Sequence, residues 1–259
     1  MNRYSRKNLL MILCGLPFLS LTQNLFAQSA SDKKKTALAG VKRVLLTLPY
    51  FATPEFLDNA PVKVVNGGRK LTDEEIKKVR EENRLFLSKL ESQTQETLQK
   101  RLTVRTPFTV SPLKLTLPAS RDPKEKKQDK EDSAFAFKGE GRLKGTKFPL
   151  PNPVIVRQLA TENNADAVLL TIMDEPRRDD GGYFFDASGI GYRSPHVSAK
   201  IAFYFLLADG TEILHEYVEV LHPISKIGNR DYTQVDMTET HEMVIENFLD
   251  ELTRYLPKP

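Results

Sequence analysis

From Val41 the chain reads VKRVLLTLPYF, a short apolar block closed by Pro49. Such a block is the pattern of a buried strand. Thr72 and Glu75 then precede a series spaced by threes and fours: Ile76, Val79, Phe86, Leu90, Leu98 and Leu102. With Asp73 and Glu74 in the first turn, this predicts a capping box and an amphipathic helix ending near Arg101 or Leu102. Asn83 and Thr94 interrupt its apolar face. FTVSPLKLTL (108–117) alternates at Leu113, Leu115 and Leu117, and Pro112 confines it to an edge or irregular strand. Asn152 and Pro153 open a short helix that stops at Asn163-Asn164, and ADAVLLTIM (165–173) is a buried strand.

KIAFYFLLADGTEILHEYVEV (200–220) is a hairpin about Asp209-Gly210. A two-residue loop there sets Ala208 opposite Thr211, Leu206 opposite Ile213, Tyr204 opposite His215 and Lys200 opposite Glu219. The last pair joins opposite charges, which supports the register. Each face is at least half apolar, so the sheet is covered on both sides. A second capping box, Asp236 and Glu239, predicts a last helix with Met237, Val244, Phe248, Leu252 and Leu256 along one stripe. The order of elements predicts an α/β (α+β) fold: a single mixed β-sheet with a C-terminal hairpin, packed by about three helices.

Three segments fall outside that pattern. Residues 52–71 form a long loop with room for a short strand at Val62 to Val65. RDPKEKKQDKED (121–132) has nothing to bury and predicts a disordered charged insertion within 118–150. Gly139, Gly141 and Gly145 lack the strand–loop–helix frame of a phosphate loop. At the start, Arg3, Arg6 and Lys7 precede an apolar run from Leu9 to Leu21 and a small residue, Ala27, which is the grammar of a signal peptide over 1–27. The run is shorter than the roughly 20 residues of a bilayer span. A flexible leader at 28–40 and one domain at 41–259 complete the expected organisation. Lipid anchoring at Cys14 is the rival reading, and Leu13 stands where that signal wants a small residue.

Charge and cysteine content narrow the function. Cleavage after Ala27 leaves no cysteine, which removes disulfides, thiolate nucleophiles and cysteine-based zinc sites. The formal charge of +4 includes three charges of the leader, so the exported chain is nearly neutral and has no bulk attraction for nucleic acid. There is no Gly-x-Ser-x-Gly elbow. No catalytic residue and no cofactor is predicted, and the expected location is the periplasm or the exterior.

The loop DEPRRDDGGYFFDASGIGYRSPH (174–196) is the best place for function. Tyr183, Phe184, Phe185 and Tyr192 sit among glycines and charges, and exposed aromatics bind at little entropic cost. They are candidates for partner binding; the competing expectation extends the sheet and packs the rings on the body. Asp179, Asp180 and Asp186 offer oxygen ligands, although their spacing is not that of the twelve-residue calcium loop. With a histidine they would make the alternative, a metal-dependent or carboxylate-based hydrolase. None of His196, His215, His222 and His241 forms a helical ligand pair. His215 is expected half-buried in its strand, and His241 on a solvated helix face.

VRQLATENNADAVLLTIM, followed by a loop and AKIAFYFLLADGTEILHEYVEV, resembles a recurring segment of bacterial envelope proteins. The group includes the amino-terminal domain of the Tol-system propeller protein, lipoprotein activators of penicillin-binding proteins and curli-secretion channel subunits. The likeness covers residues 154 to 256, with strand 41–50 and the long helix matching by order. It implies a non-enzymatic module that docks onto another envelope protein in assembly or transport. The chain departs from the lipoprotein members at the lipid-attachment signal and in its charged insertion.

Overall fold

The computed structural model describes residues 30–51, 72–113, 136–143, 146–174, 177–179, 182–186, 189–223 and 232–256. The signal-peptide region, Val62 to Val65 and the run 121–132 lie outside the described residues. A helix, α1, occupies 30–39. The strands β1 (Arg43–Leu46) and β2 (Tyr50–Phe51) follow, then the long helix α2 (Asp73–Arg105) and β3 (Thr109–Pro112). Next come β4 (Phe137–Leu143), β5 (Thr146–Pro151), α3 (Pro153–Glu162), β6 (Ala167–Met173), β7 (Arg177–Asp179), β8 (Gly182–Asp186) and β9 (Gly189–Arg193). The pair β10 (His196–Leu207) and β11 (Glu212–Pro223) and the helix α4 (Tyr232–Thr253) end the chain.

Seven strands form one mixed sheet in the order β11-β10-β6-β1-β3. β1, β3 and β6 run parallel, β10 runs against β6, and β11 against β10. β2 continues the line of β1 beside β6 after the break at Pro49, and β7 continues the line of β6 beside the start of β10. β3, with its Pro112, is an edge strand as expected. One face of the sheet carries α1, α2 and α4: Leu38, Leu98, Leu102, Phe248 and Leu252 close over Val44, Leu46, Leu169, Phe203 and Phe205. The other face carries α3 and the β4–β5 hairpin, through Ile155, Val156, Leu159 and Phe137, over Leu45, Leu170, Tyr204 and Tyr217. Helices on both faces bury the central strand on both sides, and all of β6 is buried and, Thr171 apart, apolar.

Local chemistry accounts for the element ends. The capping box at Thr72 and Glu75 is present, with each side chain bonded to the other's backbone N–H. Asn152 accepts from Val154 N at 3.1 Å, and Pro153 takes the first turn. The Asp166 carboxylate accepts from the backbone N–H groups of Arg43 (2.8 Å) and Lys42 (3.0 Å), which ties the start of β6 to the start of β1. That bond gives the acid of the Ala-Asp-Ala segment a structural role: it joins two strands.

Five expectations need correction. The segment 28–40 is not a flexible leader: 30–39 are helical, and Leu38 is 1% exposed in the core. The part of 118–150 that is described is a hairpin, β4–β5, because Phe137 finds a buried place against Tyr50. α2 runs to Arg105, whose guanidinium reaches Glu246 (2.8 Å) and Asp250 (2.6 Å) on α4. α4 begins at Tyr232, so Asp236 and Glu239 lie inside it and not at its start. The β10–β11 turn has three residues and not two. Gly210 N bonds Leu207 O, Leu207 N bonds Thr211 O, and Gly210 has a φ of 84°. A type I turn followed by a left-handed glycine inserts one extra residue, so Leu206 stands opposite Glu212 and not Ile213. From Phe205 opposite Leu214 outward, the expected register holds, including Lys200 opposite Glu219 at 3.2 Å.

Candidate functional site

The strand directions sort the connections into two ends. At one end the links are short: 40–42, 106–108, 163–166 and 208–211. At the other, the carboxyl ends of β1, β3, β6 and β11, the chain leaves by 47–72, 113–136, 174–195 and 224–231. Long connections inside a compact domain are mostly functional. β1 is also where the chain order reverses: α2 crosses one face to β3 and α3 lies on the other face before β6. In open α/β sheets that is the customary place for a binding crevice.

Among these connections, 174–195 holds the residues singled out from the sequence. It is neither a plain loop nor simply an extension of the main sheet. β7 pairs with the start of β10, and β8 and β9 then form a two-stranded sheet of their own. No other described strand pairs with that hairpin. Its register sets Tyr183 opposite Tyr192 and Phe185 opposite Ile190. Alternation therefore puts these four positions on one face. Tyr192 is 56% exposed. Phe184 stands opposite Gly191, on the other face.

The candidate ligands for a metal are spread out. Asp179 lies in β7 opposite His196, Asp186 ends β8 opposite Gly189, and Asp180 lies outside the described residues. Among the described residues no three ligating side chains come together. The histidines are placed separately. His196 Nδ1 is 3.0 Å from Ser194 O, and His222 Nε2 is 3.6 Å from Glu239. His215 is half-buried as expected and stacks on Tyr204 at 4.0 Å; burial holds its pKa below the usual imidazole value. His241 departs from expectation: it is 2% exposed, on the face of α4 turned to the core.

Two features of this end escaped the sequence reading. Gln95 of α2 donates through Nε2 to Leu46 O (3.2 Å) and Leu113 O (3.0 Å), tying together the ends of β1 and β3. One turn before it, Glu91 is partly enclosed, and desolvation pushes its carboxyl up to about 7. The signal was in the pattern: Glu91, Thr94 and Gln95 stand on the helix stripe that Leu87, Leu90 and Leu98 make apolar. A shallow groove of about 390 Å³ lies over α4 beside the end of β11, lined by His222, Glu239, Glu242, Met243, Glu246 and Asn247. Glu246 there is held by Arg101 and Arg105.

No protein-family model matches the chain. No curated protein matches it either. Solved structures with a similar chain course include a hypothetical protein of Chlamydia trachomatis, 14% identical, covering 83% of this chain and 97% of that one at a TM-score of 0.41. A PelC dodecamer from Paraburkholderia phytofirmans is 10% identical over 82% and 89%, at 0.37. A neuraminyllactose-binding hemagglutinin homolog from Helicobacter pylori is 14% identical over 82% and 86%, also at 0.37. None of these three is a Tol, activator or curli protein. The relations are weak and structural. No helix among the described residues is long and apolar enough to cross a membrane.

Proposed function

We propose that this is an exported bacterial accessory protein that acts by binding another envelope protein, and not by catalysis. The β8–β9 hairpin is the binding element, through the face that carries Tyr183, Phe185, Ile190 and Tyr192. The observation that carries this is the exposure of Tyr192 on a hairpin that pairs only with itself. An isolated two-stranded hairpin is marginal in water, and a face of aromatic and β-branched positions stabilises it when covered. Aromatic positions on a two-stranded support are the composition of binding hot spots. Export supports an envelope partner, and rests on the apolar run and small residue of 1–27.

The test places a photo-crosslinking residue at position 192 of the exported protein, with position 104, 78% exposed on α2, as the control. The expected result is a discrete adduct from 192 alone, lost on Tyr183→Ser with the melting temperature unchanged. Identical adducts from both positions overturn the reading. So does a large fall in melting temperature for Tyr183→Ser with Tyr192→Ser, because the rings would then support the fold.

A further inference from the structure

The sheet ends differently at its two sides. At one side β3 is four residues long and carries Pro112. Shortness and proline are usual guards against a further strand adding to an open edge. At the other side β11 has twelve residues. Its one irregularity lies at Ile213, beside the turn, and from Leu214 to His222 it pairs regularly with β10. That stretch holds no proline, glycine or lysine. No described strand lies on its outer side. We infer that β11 pairs antiparallel with β11 of a second copy of this chain, about a two-fold axis at Val218, so that one sheet runs through both copies. The inference is independent of what the β8–β9 hairpin binds.

The hydrogen bonds set the direction of the backbone groups. Lys200 O accepts from Asp174 N at 2.9 Å, just past the end of β6. Lys200 therefore faces β6, and by alternation Ala199, Ile201 and Phe203 face β11. Their partners Val220, Val218 and Glu216 face back towards β10. The N–H and C=O groups of His215, Tyr217, Glu219 and Leu221 are thereby directed outward. Solvent reaches this strand: Glu219 is exposed, His215 is partly so, and Leu221 is 58% exposed.

The stretch matches itself when turned end for end. With the axis at Val218 all of Leu214 to His222 overlaps: Leu214 meets His222, His215 meets Leu221, Glu216 meets Val220 and Tyr217 meets Glu219. Outward residues then meet outward residues, and each such pair exchanges two hydrogen bonds. No acid faces an acid, although the stretch carries Glu216 and Glu219 and no lysine or arginine. An axis at Glu216 or Glu219 would set that acid against its own copy. An axis at Tyr217 would draw the irregular Ile213 into the ladder. A C2 contact is self-complementary in this sense, and addition to a sheet edge draws its affinity from the main chain. The shared edge is about 30 Å long at the rise of a strand, so the dimer is concentration-dependent.

Sedimentation of the exported protein from about 1 µM to 1 mM tests this. The expected result is a reversible dimer. Glu219→Pro removes an outward N–H and leaves the bonds to β10, and it should weaken the dimer about tenfold or more. Leu221→Lys, at an exposed position, should do the same by charging the edge, and it keeps the test open if the proline variant fails to fold. On a Cys14→Ser background, Val218→Cys should link two copies on treatment with oxidised glutathione. Val218 would face its own counterpart as a non-hydrogen-bonded pair, Cα atoms about 4.5 Å apart, within the span of a disulfide. Glu216→Cys should not link, because its copies would lie about 13 Å apart along the strands. Tyr183→Ser leaves the dimer intact, so failure of the binding reading and failure of this one are told apart. A wild-type chain that stays monomeric throughout overturns the inference. So do a dimer that survives both edge variants, and equal linking of Val218→Cys and Glu216→Cys.

Discussion

The rings of Phe203 and Phe248 stack face to face, 4.0 Å between centroids and 9° from parallel. Phe203 lies in the middle of β10 and Phe248 on the buried stripe of α4, and both are fully buried. The pair fixes the last helix on the longest strands of the sheet. Phe248→Ala should destabilise by about 3–5 kcal/mol, the usual cost of emptying an aromatic site in a core. Urea denaturation measures it. Arg105→Ala removes the fork to Glu246 and Asp250 but should cost only about 0–1 kcal/mol, because all three side chains keep contact with solvent.

Glu91 makes stability depend on pH. Its carboxyl titrates near 7 in the folded chain, against an ordinary value of 4.5. The folded state therefore holds a proton that the unfolded state has released, and stability falls as pH rises from about 4.5 to 7. Glu91→Gln should change little at pH 4 and should stabilise at pH 8. After allowance for partial exposure the gain is on the order of 1–2 kcal/mol. Thermal melts of both proteins across that range show it; equal curves at pH 8 would mean that Glu91 is not desolvated.

Asp166 works in the opposite direction. Burial alone would raise its carboxyl, but the backbone donors of Arg43 and Lys42, with the Arg43 charge, outweigh that and lower it. Its contribution is present above the ordinary carboxylate value of 3.8 and is lost as pH falls through the lower folded value. Asp166→Ala should cost about 1–2 kcal/mol at pH 7, since two strand donors lose their acceptor. The difference from wild type should shrink in acid, as urea midpoints at pH 7 and pH 3 will show.

Gly210→Ala probes the turn. The glycine has a φ of 84°, and an added Cβ would sit 2.9 Å from Cβ of Pro153 at the start of α3. Left-handed strain and this clash add, and a loss of about 1–3 kcal/mol is expected. Asp209→Ala keeps the backbone geometry and serves as the control, since the residue is exposed and its carboxylate accepts from Thr211, with the backbone N–H at 2.8 Å.

Much of the frame was legible because local and tertiary signals agree in it. The Thr72–Glu75 box, the Asn152-Pro153 start and the Lys200–Glu219 pairing each appear as the sequence predicts. The misses have one kind of cause. Leu38 looked like part of a polar leader because a single apolar residue carries no periodicity, yet one side chain suffices to dock a short helix. Ile213 was misplaced because Asp-Gly fits both two-residue turns and three-residue turns ending in glycine. His241 looked solvated beside Glu242, whereas the phase of α4, set by Val244 and Phe248, turns it inward. The aromatic run 183–185 was found by composition, but its division into two unlike faces needed the β8–β9 register.

The uneven distribution of long and short links gives the molecule a tight foot and a permissive crown. Ten residues spliced into 106–108 or 163–166 would drive a wedge between a helix and the strand it feeds. The same ten spliced at 194–195, between β9 and β10, would part no helix from the strand it feeds. Descendants of this chain can thus exchange their crowns, and with them whatever they hold, without renegotiating the scaffold; a graft or reporter belongs there for the same reason.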